Sequence, residues 1–141
     1  MHEEANKEKI EKFIVFVNDL TTKVFYEKLK CNGEYLYQNG ACYEFVNIIK
    51  RYFEIDNILI NKEYSHCAFE YKNDYYDSMG IIKNKENYFI ATEEDILYMV
   101  DQFGGHLFSY HICETIIDEI SHIEKIPYLP SKFYKTKKLI K

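Results

Sequence analysis

The spacing of apolar residues changes twice along this chain, and this change constrains the fold more than any other feature. Up to Phe53, apolar residues recur every three or four positions, which is the period of an α-helix. Between Asn57 and Ala91 they form short alternating or aromatic runs separated by polar turns, as in β-strands. The helical period returns at Thr92. One block of strands between two blocks of helices predicts an α+β fold.

Four helices are predicted from this pattern. The first is a long brace, and the second has a broad apolar face that makes it the central buried helix. Thr92 is a suitable N-cap for the third helix, and the three acidic residues after it complement the helix dipole. Gly104-Gly105 ends that helix. The predicted helices cover residues 3–30, 41–53, 92–103 and 108–125, and residues 34–40 are predicted to be a connector.

The strand block predicts a small antiparallel sheet of three or four strands. Runs at residues 57–61, 66–71 and 75–78 are the main candidates, and residues 81–82 and 88–91 supply one or two more. We expect this sheet to pack against the central helix, which carries Cys42 at its N-terminus. The N- and C-terminal helices then flank this core.

Length and charge bound the possible functions. The 141 residues predict one domain, residues 1–141, and the net charge of −5 argues against binding to nucleic acid. Residues 127–141 form a basic tail, read either as a solvated end or as an arm for a protein partner. There is no signal peptide pattern and no apolar run near the ~18 residues of a membrane span. We therefore expect a cytoplasmic protein with reduced thiols and no membrane partner.

Cys42 is the residue with the clearest chemical potential. It follows the Asn39-Gly40 break and opens the second predicted helix. Unpartnered N–H groups and the positive end of the helix dipole favour a thiolate at such a position. Two interpretations remain open at this point: Cys42 is a nucleophile, or it is a small buried apolar residue.

His66 and Asp77 lie on a predicted β-hairpin, and the turn decides whether they meet. A turn centred on Lys72-Asn73 places Asp77 opposite Ala68, on the same face as His66 and one diagonal step away. Diagonal neighbours are about 7–8 Å apart at their Cα atoms, within reach of a histidine–carboxylate hydrogen bond. A turn centred on Asn73-Asp74 places Asp77 too far from His66 for that hydrogen bond. A three-residue loop puts Asp77 on the opposite face.

These three residues in this order suit acyl transfer. Cys42 attacks a carbonyl, His66 takes and returns the proton, and Asp77 orients the imidazole. The backbone N–H of Cys42, with the side-chain amide of Gln38 or Asn39, is the predicted oxyanion hole. The expected substrate is a protein, a peptide or a small amide. This chemistry requires no cofactor and no metal.

Three short motifs also resemble a known family. Gly40-Ala41-Cys42, His66-Cys67-Ala68-Phe69 and Tyr75-Tyr76-Asp77 resemble the papain-like superfamily, particularly its transglutaminase-like branch, over residues 38–80. The resemblance implies a helix packed against an antiparallel sheet and a Cys42–His66–Asp77 triad. It also implies a cysteine-dependent hydrolase or acyltransferase, such as an amidase, a peptidase or a transglutaminase.

Other interpretations of the same residues stay open. His66 is also compatible with a structural strand histidine, Asp77 with a residue that ends a turn, and Asp74 competes with it. A zinc site is a further alternative, although its spacing is unusual; its residues would be His106, His111, Cys113 and His122. At the level of the whole protein, the alternatives are a non-catalytic inhibitor or adaptor of phage or mobile-element origin, and an oligomeric module. A protein partner would then bind the helical face or the basic tail.

Overall fold

The computed structural model describes residues 2–103, 110–123, 126 and 129, with the side chains of 7–102, 110–123, 126 and 129. Within these residues there are five α-helices: α1 (His2–Leu29), α2 (Gly33–Gln38), α3 (Cys42–Tyr52), α4 (Glu93–Phe103) and α5 (Ile112–Ser121). The strands are β1 (Asn57–Asn61), β2 (Cys67–Tyr71), β3 (Asp74–Asp77), β4 (Gly80–Ile81) and β5 (Tyr88–Ile90). A short 3₁₀ turn, Lys85–Asn87, precedes β5.

The strands form one antiparallel sheet in the order β4-β3-β2-β1-β5. The predicted α+β class is therefore confirmed, and the five strands exceed the three or four predicted. The runs at residues 81–82 and 88–91 both contribute strands, because the first pairs with β3 and the second with β1. The two short strands thus extend the sheet at opposite edges.

Helix α3 packs against β2 and β3, α1 contacts β4, and α5 packs against α1 and α3. The predicted central helix is confirmed as α3, whose buried residues include Phe45, Val46 and Ile49. It contacts both β2 and α5, and Phe13 of α1 packs edge-on against the ring of Tyr52 with centroids 5.5 Å apart. Phe69 and Tyr76 stack on the helical side of the sheet at 5.5 Å. The core therefore lies between this helical layer and the sheet.

The connector between α1 and α3 differs from the prediction. Lys30, not Asn32 or Gly33, has the left-handed φ of 57° that ends α1. Asn32 instead caps a new helix, α2, since its Oδ1 accepts the N–H of Tyr35 at 2.8 Å. Asn32 and Gly33 are residues suited to a left-handed helix end, yet they start the next helix because the asparagine side chain satisfies a first-turn N–H group.

Two further predictions concern the C-terminal half. The Thr92 cap is confirmed, because Thr92 Oγ1 accepts the Asp95 N–H at 3.1 Å while Asp95 Oδ2 accepts the Thr92 N–H at 2.9 Å. Three predicted features lie outside the described residues. They are the Gly104-Gly105 stop, the outer parts of the helix predicted at 108–125, and the tail at 127–141 apart from Leu129. Within the described part, no helix is both long and apolar enough to cross a membrane.

Candidate functional site

Cys42 begins α3, as predicted. Gly40 has a φ of 121°, which only glycine adopts without strain, and this turn brings the chain from α2 into α3. The N-cap of α3 is Ala41, so no side chain caps the helix. The Cys42 side chain is 7% exposed and belongs to the buried cluster. A cysteine at an uncapped helix start therefore lies against the body of the protein, not in solvent.

His66 lies just before β2 and is held by its neighbour across the sheet. The His66 N–H donates to Asn61 Oδ1 at 2.9 Å, and the Asn61 N–H donates to the His66 carbonyl at 3.1 Å. The same Oδ1 accepts the N–H of Ser65 at 2.8 Å. Asn61, which is 8% exposed, therefore sets the backbone of the histidine. Our sequence analysis missed this role; an asparagine at a strand end before a tight turn is the available signal.

Asp77 reaches the histidine from β3. His66 Nε2 and Asp77 Oδ2 are 2.9 Å apart, and the two side chains are 13% and 11% exposed. Asp77 Oδ1 accepts the N–H of Met79 at 2.8 Å. Burial alone would raise the pKa of Asp77, but hydrogen bonds from His66, Met79 and Gln38 lower it. Asp77 is thus a carboxylate held in a fixed orientation beside the imidazole.

The hairpin register agrees with one of the three alternatives. Phe69 pairs with Tyr76 and Tyr71 with Asp74, so the turn contains only Lys72 and Asn73. This is the register predicted to bring His66 and Asp77 together, and it is confirmed. Asp74, the competing acid, lies at the far end of β3 and pairs with Lys7 Nζ at 2.9 Å.

Cys42 also lies close enough to the imidazole to act on its pKa. Burial lowers the pKa of His66, but the interactions with Asp77 and Cys42 and the charges of both outweigh it and raise that pKa to about 9. The imidazole is therefore protonated at neutral pH and lies between a carboxylate and a cysteine.

The sulfur of Cys42 also occupies the end of the β2–β3 ladder. The Cys67 N–H donates to Cys42 Sγ at 3.2 Å. In a continued ladder Ser78 would face Cys67. Instead, the Ser78 carbonyl accepts Asn18 Nδ2 of α1 at 2.9 Å. Because Ser78 does not pair with Cys67, the Cys67 N–H donates to the Cys42 sulfur instead of to a strand partner.

The neighbouring cysteine has a different character. Cys67 is 1% exposed, and burial together with the charge of Cys42 raises the pKa of its thiol well above the ordinary value. A buried neutral thiol is a poor nucleophile. Cys67 therefore contributes its backbone N–H to the site while its side chain packs in the core. All four cysteines, Cys31, Cys42, Cys67 and Cys113, are free thiols.

The two predicted oxyanion-hole side chains have different surroundings. Gln38 Nε2 donates to Ser78 Oγ at 2.8 Å, beside Asp77. The Asn39 side chain is exposed, and its Nδ2 donates to the Tyr35 carbonyl at 2.9 Å, closing the end of α2. Gln38 thus belongs to the same polar cluster as the triad residues, whereas Asn39 serves as a helix cap.

Tyr88 completes the surroundings of the histidine, and our sequence analysis missed it. Its ring lies edge-on to His66, with centroids 6.4 Å apart, and edge-on to Tyr75 at the same distance. Burial, with the charges of Asp77, Cys42 and Cys67, raises the pKa of Tyr88 to about 12. Tyr88 therefore presents a protonated hydroxyl near the triad residues. The sheet order, which places β5 beside β1, was needed to find it.

The alternative zinc residues do not form a metal site in the described part of the chain. His111, Cys113 and Glu114 border a cavity of about 400 Å³ between α3 and α5. No group of three or more histidine, cysteine or acidic side chains among the described residues is arranged to hold a metal ion. His106 lies outside the described residues.

Comparison with known proteins identifies a family. Residues 20–124 match the model of the family described as Phage YunG-like protein, which is more than half of the chain. The chain therefore belongs to the Phage YunG-like family. No curated protein and no solved structure matches it.

This match corrects the resemblance to the papain-like superfamily and its transglutaminase-like branch, which was wrong. The resemblance depended on three short motifs within residues 38–80, whereas the family match extends from the last third of α1 through the sheet to α5. A cysteine at a helix start and a histidine beside a strand follow from local geometry. They do not by themselves define a family.

Proposed function

We propose that this member of the Phage YunG-like family is a cysteine-dependent hydrolase or acyltransferase, with Cys42 as the nucleophile, His66 as the acid and base, and Asp77 as the residue that orients His66. The observation that supports this most directly is the part-buried 2.9 Å contact between His66 Nε2 and Asp77 Oδ2, with Cys42 close enough to act on the pKa of the ring. Three groups with these roles are what nucleophilic catalysis by a thiol requires.

The protonation of His66 supports the assignment of roles. A pKa of about 9 keeps the ring as an imidazolium at neutral pH, so the proton that the leaving group needs is already on His66. The negative charge of Asp77 stabilises the imidazolium. The Cys67 N–H, 3.2 Å from Cys42 Sγ, is a donor to the attacking sulfur.

In the proposed reaction, the Cys42 thiolate attacks the carbonyl carbon of an amide, and the C–S bond forms. His66 donates its proton to the leaving nitrogen as the C–N bond breaks, which releases an amine and leaves a thioester on Cys42. The neutral His66 then takes a proton from an incoming water or amine, whose oxygen or nitrogen attacks the thioester. The C–S bond breaks, and the released thiolate and the imidazolium restore the starting state.

The negative oxygen of the tetrahedral intermediate requires donors. We assign the backbone N–H of Cys42, which lies at the uncapped start of α3, together with Gln38. Gln38 Nε2 donates to Ser78 Oγ and also interacts with Asp77, so one of its N–H groups would have to turn from these partners to the oxyanion. The expected substrates are proteins, peptides or small amides, and the reaction is peptidase, amidase or transglutaminase-like chemistry according to whether water or an amine accepts the acyl group.

The family match favours a second candidate function. The family is described as a phage protein, and that description names no enzymatic activity. In this alternative the chain is a non-catalytic binding or inhibitor protein of phage or mobile-element origin on the same scaffold. The same triad residues would then have only a structural role.

Trapping an acyl-enzyme separates the two candidates. We would incubate the protein with p-nitrophenyl acetate and locate the acetyl group by mass spectrometry of peptides. The enzyme proposal expects a transient thioester on Cys42 that is absent in Cys42→Ala and accumulates in His66→Ala. Cys67→Ala is the matched control, because it removes a thiol but keeps the backbone N–H. Acetylation without preference for Cys42 contradicts the enzyme, and a biological effect that persists in Cys42→Ala supports the binding protein.

A further inference from the structure

We propose that the groove between α1 and the β3–β4 turn binds an extended peptide segment that carries apolar and basic side chains. This groove has a volume of about 300 Å³, and its walls include Val15 of α1 together with Met79 and Ile81. The proposal concerns binding and does not depend on whether Cys42 is catalytic.

An unsatisfied acceptor in the wall of the groove is the first observation. Asn18 lines the groove and is 8% exposed, and its Nδ2 donates to the Ser78 carbonyl at 2.9 Å. That bond fixes which end of the amide faces Ser78, so Oδ1 points away from it. This Oδ1 is buried and has no hydrogen-bond partner. Buried polar atoms are nearly always paired, so a ligand donor toward which the Asn18 amide turns would supply the missing partner.

The exposed apolar side chains are the second observation. Val15, Met79 and Ile81 are 57%, 63% and 46% exposed, and all three border the groove above the buried Ile14. Apolar side chains grouped around a concavity are typical of a binding surface. β4 is also the terminal strand of the described sheet, so its outer edge has no further strand beside it. An extended chain can use both features.

Charge complementarity identifies the occupant. The ionisable side chains that line the groove are Glu11 and Glu34, and both are acidic. A partner with lysine or arginine near its apolar residues would place positive charge between these carboxylates. Backbone N–H groups of an extended segment are donors of the kind that Asn18 Oδ1 lacks. A basic and apolar peptide thus satisfies the acceptor, the apolar wall and the charge together.

The groove lies next to the site of Cys42. Met79, which forms its wall, donates its N–H to Asp77 Oδ1 at 2.8 Å. Asn18 contacts Ser78, whose hydroxyl accepts Gln38 Nε2. A segment held in this groove therefore touches the turn that positions Asp77. If the proposed function holds, the bound segment belongs to the substrate.

The test is binding of a labelled peptide to Cys42→Ala protein, so that turnover plays no part. The probe is an acetylated Lys-Leu-Lys-Leu peptide with a fluorescein label, and a Glu-Leu-Glu-Leu peptide is its control. We expect the lysine peptide to bind, the affinity to fall as salt rises, and the amide NMR signals of Val15, Met79 and Ile81 to shift. The double variant Glu11→Lys/Glu34→Lys should bind about tenfold more weakly.

Glu27→Lys/Glu86→Lys is the matched control, because both positions are exposed acids outside the groove. It should bind as tightly as the parent protein. The proposal is overturned if neither peptide binds, if the shifted signals lie elsewhere, or if both double variants weaken binding equally. It is also overturned if the protein dimerises and Met79→Asp abolishes the dimer, because a second copy would then be the occupant.

Discussion

His66 Nε2 and Asp77 Oδ2 are 2.9 Å apart although their residues are not direct partners in the sheet. The β2–β3 register places Asp77 opposite Ala68, so His66 is its diagonal neighbour. This diagonal exists because the turn contains two residues, Lys72 and Asn73. One more residue in the turn would move Asp77 to the other face of the sheet. The length of the turn at the far end of the hairpin therefore decides whether His66 and Asp77 lie on the same face.

Asp77→Asn should lower the pKa of His66 from about 9 toward its ordinary value of 6.5. Asparagine cannot supply the negative charge that stabilises the imidazolium. An NMR titration of the imidazole signals measures the change. Asp74→Asn is the control, because that residue pairs with Lys7 at the other end of β3. An unchanged pKa in Asp77→Asn would show that Cys42, not Asp77, holds the proton on the ring.

Cys42 should react with iodoacetamide at pH 6 faster than Cys31, Cys67 and Cys113. The imidazolium and the Cys67 N–H both act on the Cys42 sulfur, whereas burial raises the pKa of Cys67 and of Cys113, the latter to about 11. Mass spectrometry of alkylated peptides gives the four rates. His66→Ala should slow the reaction of Cys42 by about tenfold, and Cys67→Ala should not. Equal rates at all cysteines would contradict the assignment.

The stability of the protein should fall as pH rises from 6.5 to 9. Folding raises the pKa of His66, so its contribution is fully present below pH 6.5 and is lost as pH approaches about 9. The difference corresponds to about 3 kcal/mol. Folding lowers the pKa of Asp77, so that contribution is present at neutral pH and is lost as acid protonates the carboxylate. Urea denaturation at several pH values measures both. In His66→Gln the loss between pH 6.5 and 9 should disappear, and a loss that persists would assign it to another group.

Gly33→Ala should destabilise the protein by about 3 kcal/mol because α2 begins against α1. A Cβ at this position would clash with the Asn18 carbonyl oxygen and lie 2.9 Å from Thr21 Cβ. Gly80→Ala is the matched comparison. It has a φ of 100° but no atom within 4 Å of the added Cβ, so only backbone strain of about 1 kcal/mol is expected. Urea denaturation of both variants tests the ranking, and the reverse order would contradict it.

Asn73→Gly should stabilise the hairpin by about 0.5 kcal/mol, and Asn73→Val should destabilise it by about 1–2 kcal/mol. Lys72 and Asn73 have φ values of 53° and 73°, the left-handed pair of a two-residue hairpin turn. Glycine adopts this conformation freely, whereas a β-branched residue is strained in it. Thermal unfolding gives the two changes. Lys83→Val, an exposed position with ordinary φ, is the control and should have little effect.

The elements with strong local patterns were predictable. The boundaries of α3 were correct to within one residue, the capping of α4 by Thr92 was correct, and the observed hairpin register was one of the three considered, because apolar period, cap chemistry and strand parity are local properties. The element that failed was short. α2 has six residues, and so short a run carries too few apolar positions to show a period. The resemblance to the papain-like superfamily failed for a similar reason, because short motifs reflect local geometry and not membership of a family.

The sequence by itself determined the candidate residues of the proposed chemistry: a cysteine at a helix start, and a histidine and an aspartate on one hairpin for which three turns were possible. Only the tertiary structure decided what surrounds them. Asn61 holds His66, Cys67 aims its N–H at Cys42, and Tyr88 lies beside the imidazole. These contacts join residues from strands and helices that no local period connects. The packing of α3 against the sheet creates them, because the N-terminus of α3 lies at the end of the β2–β3 ladder.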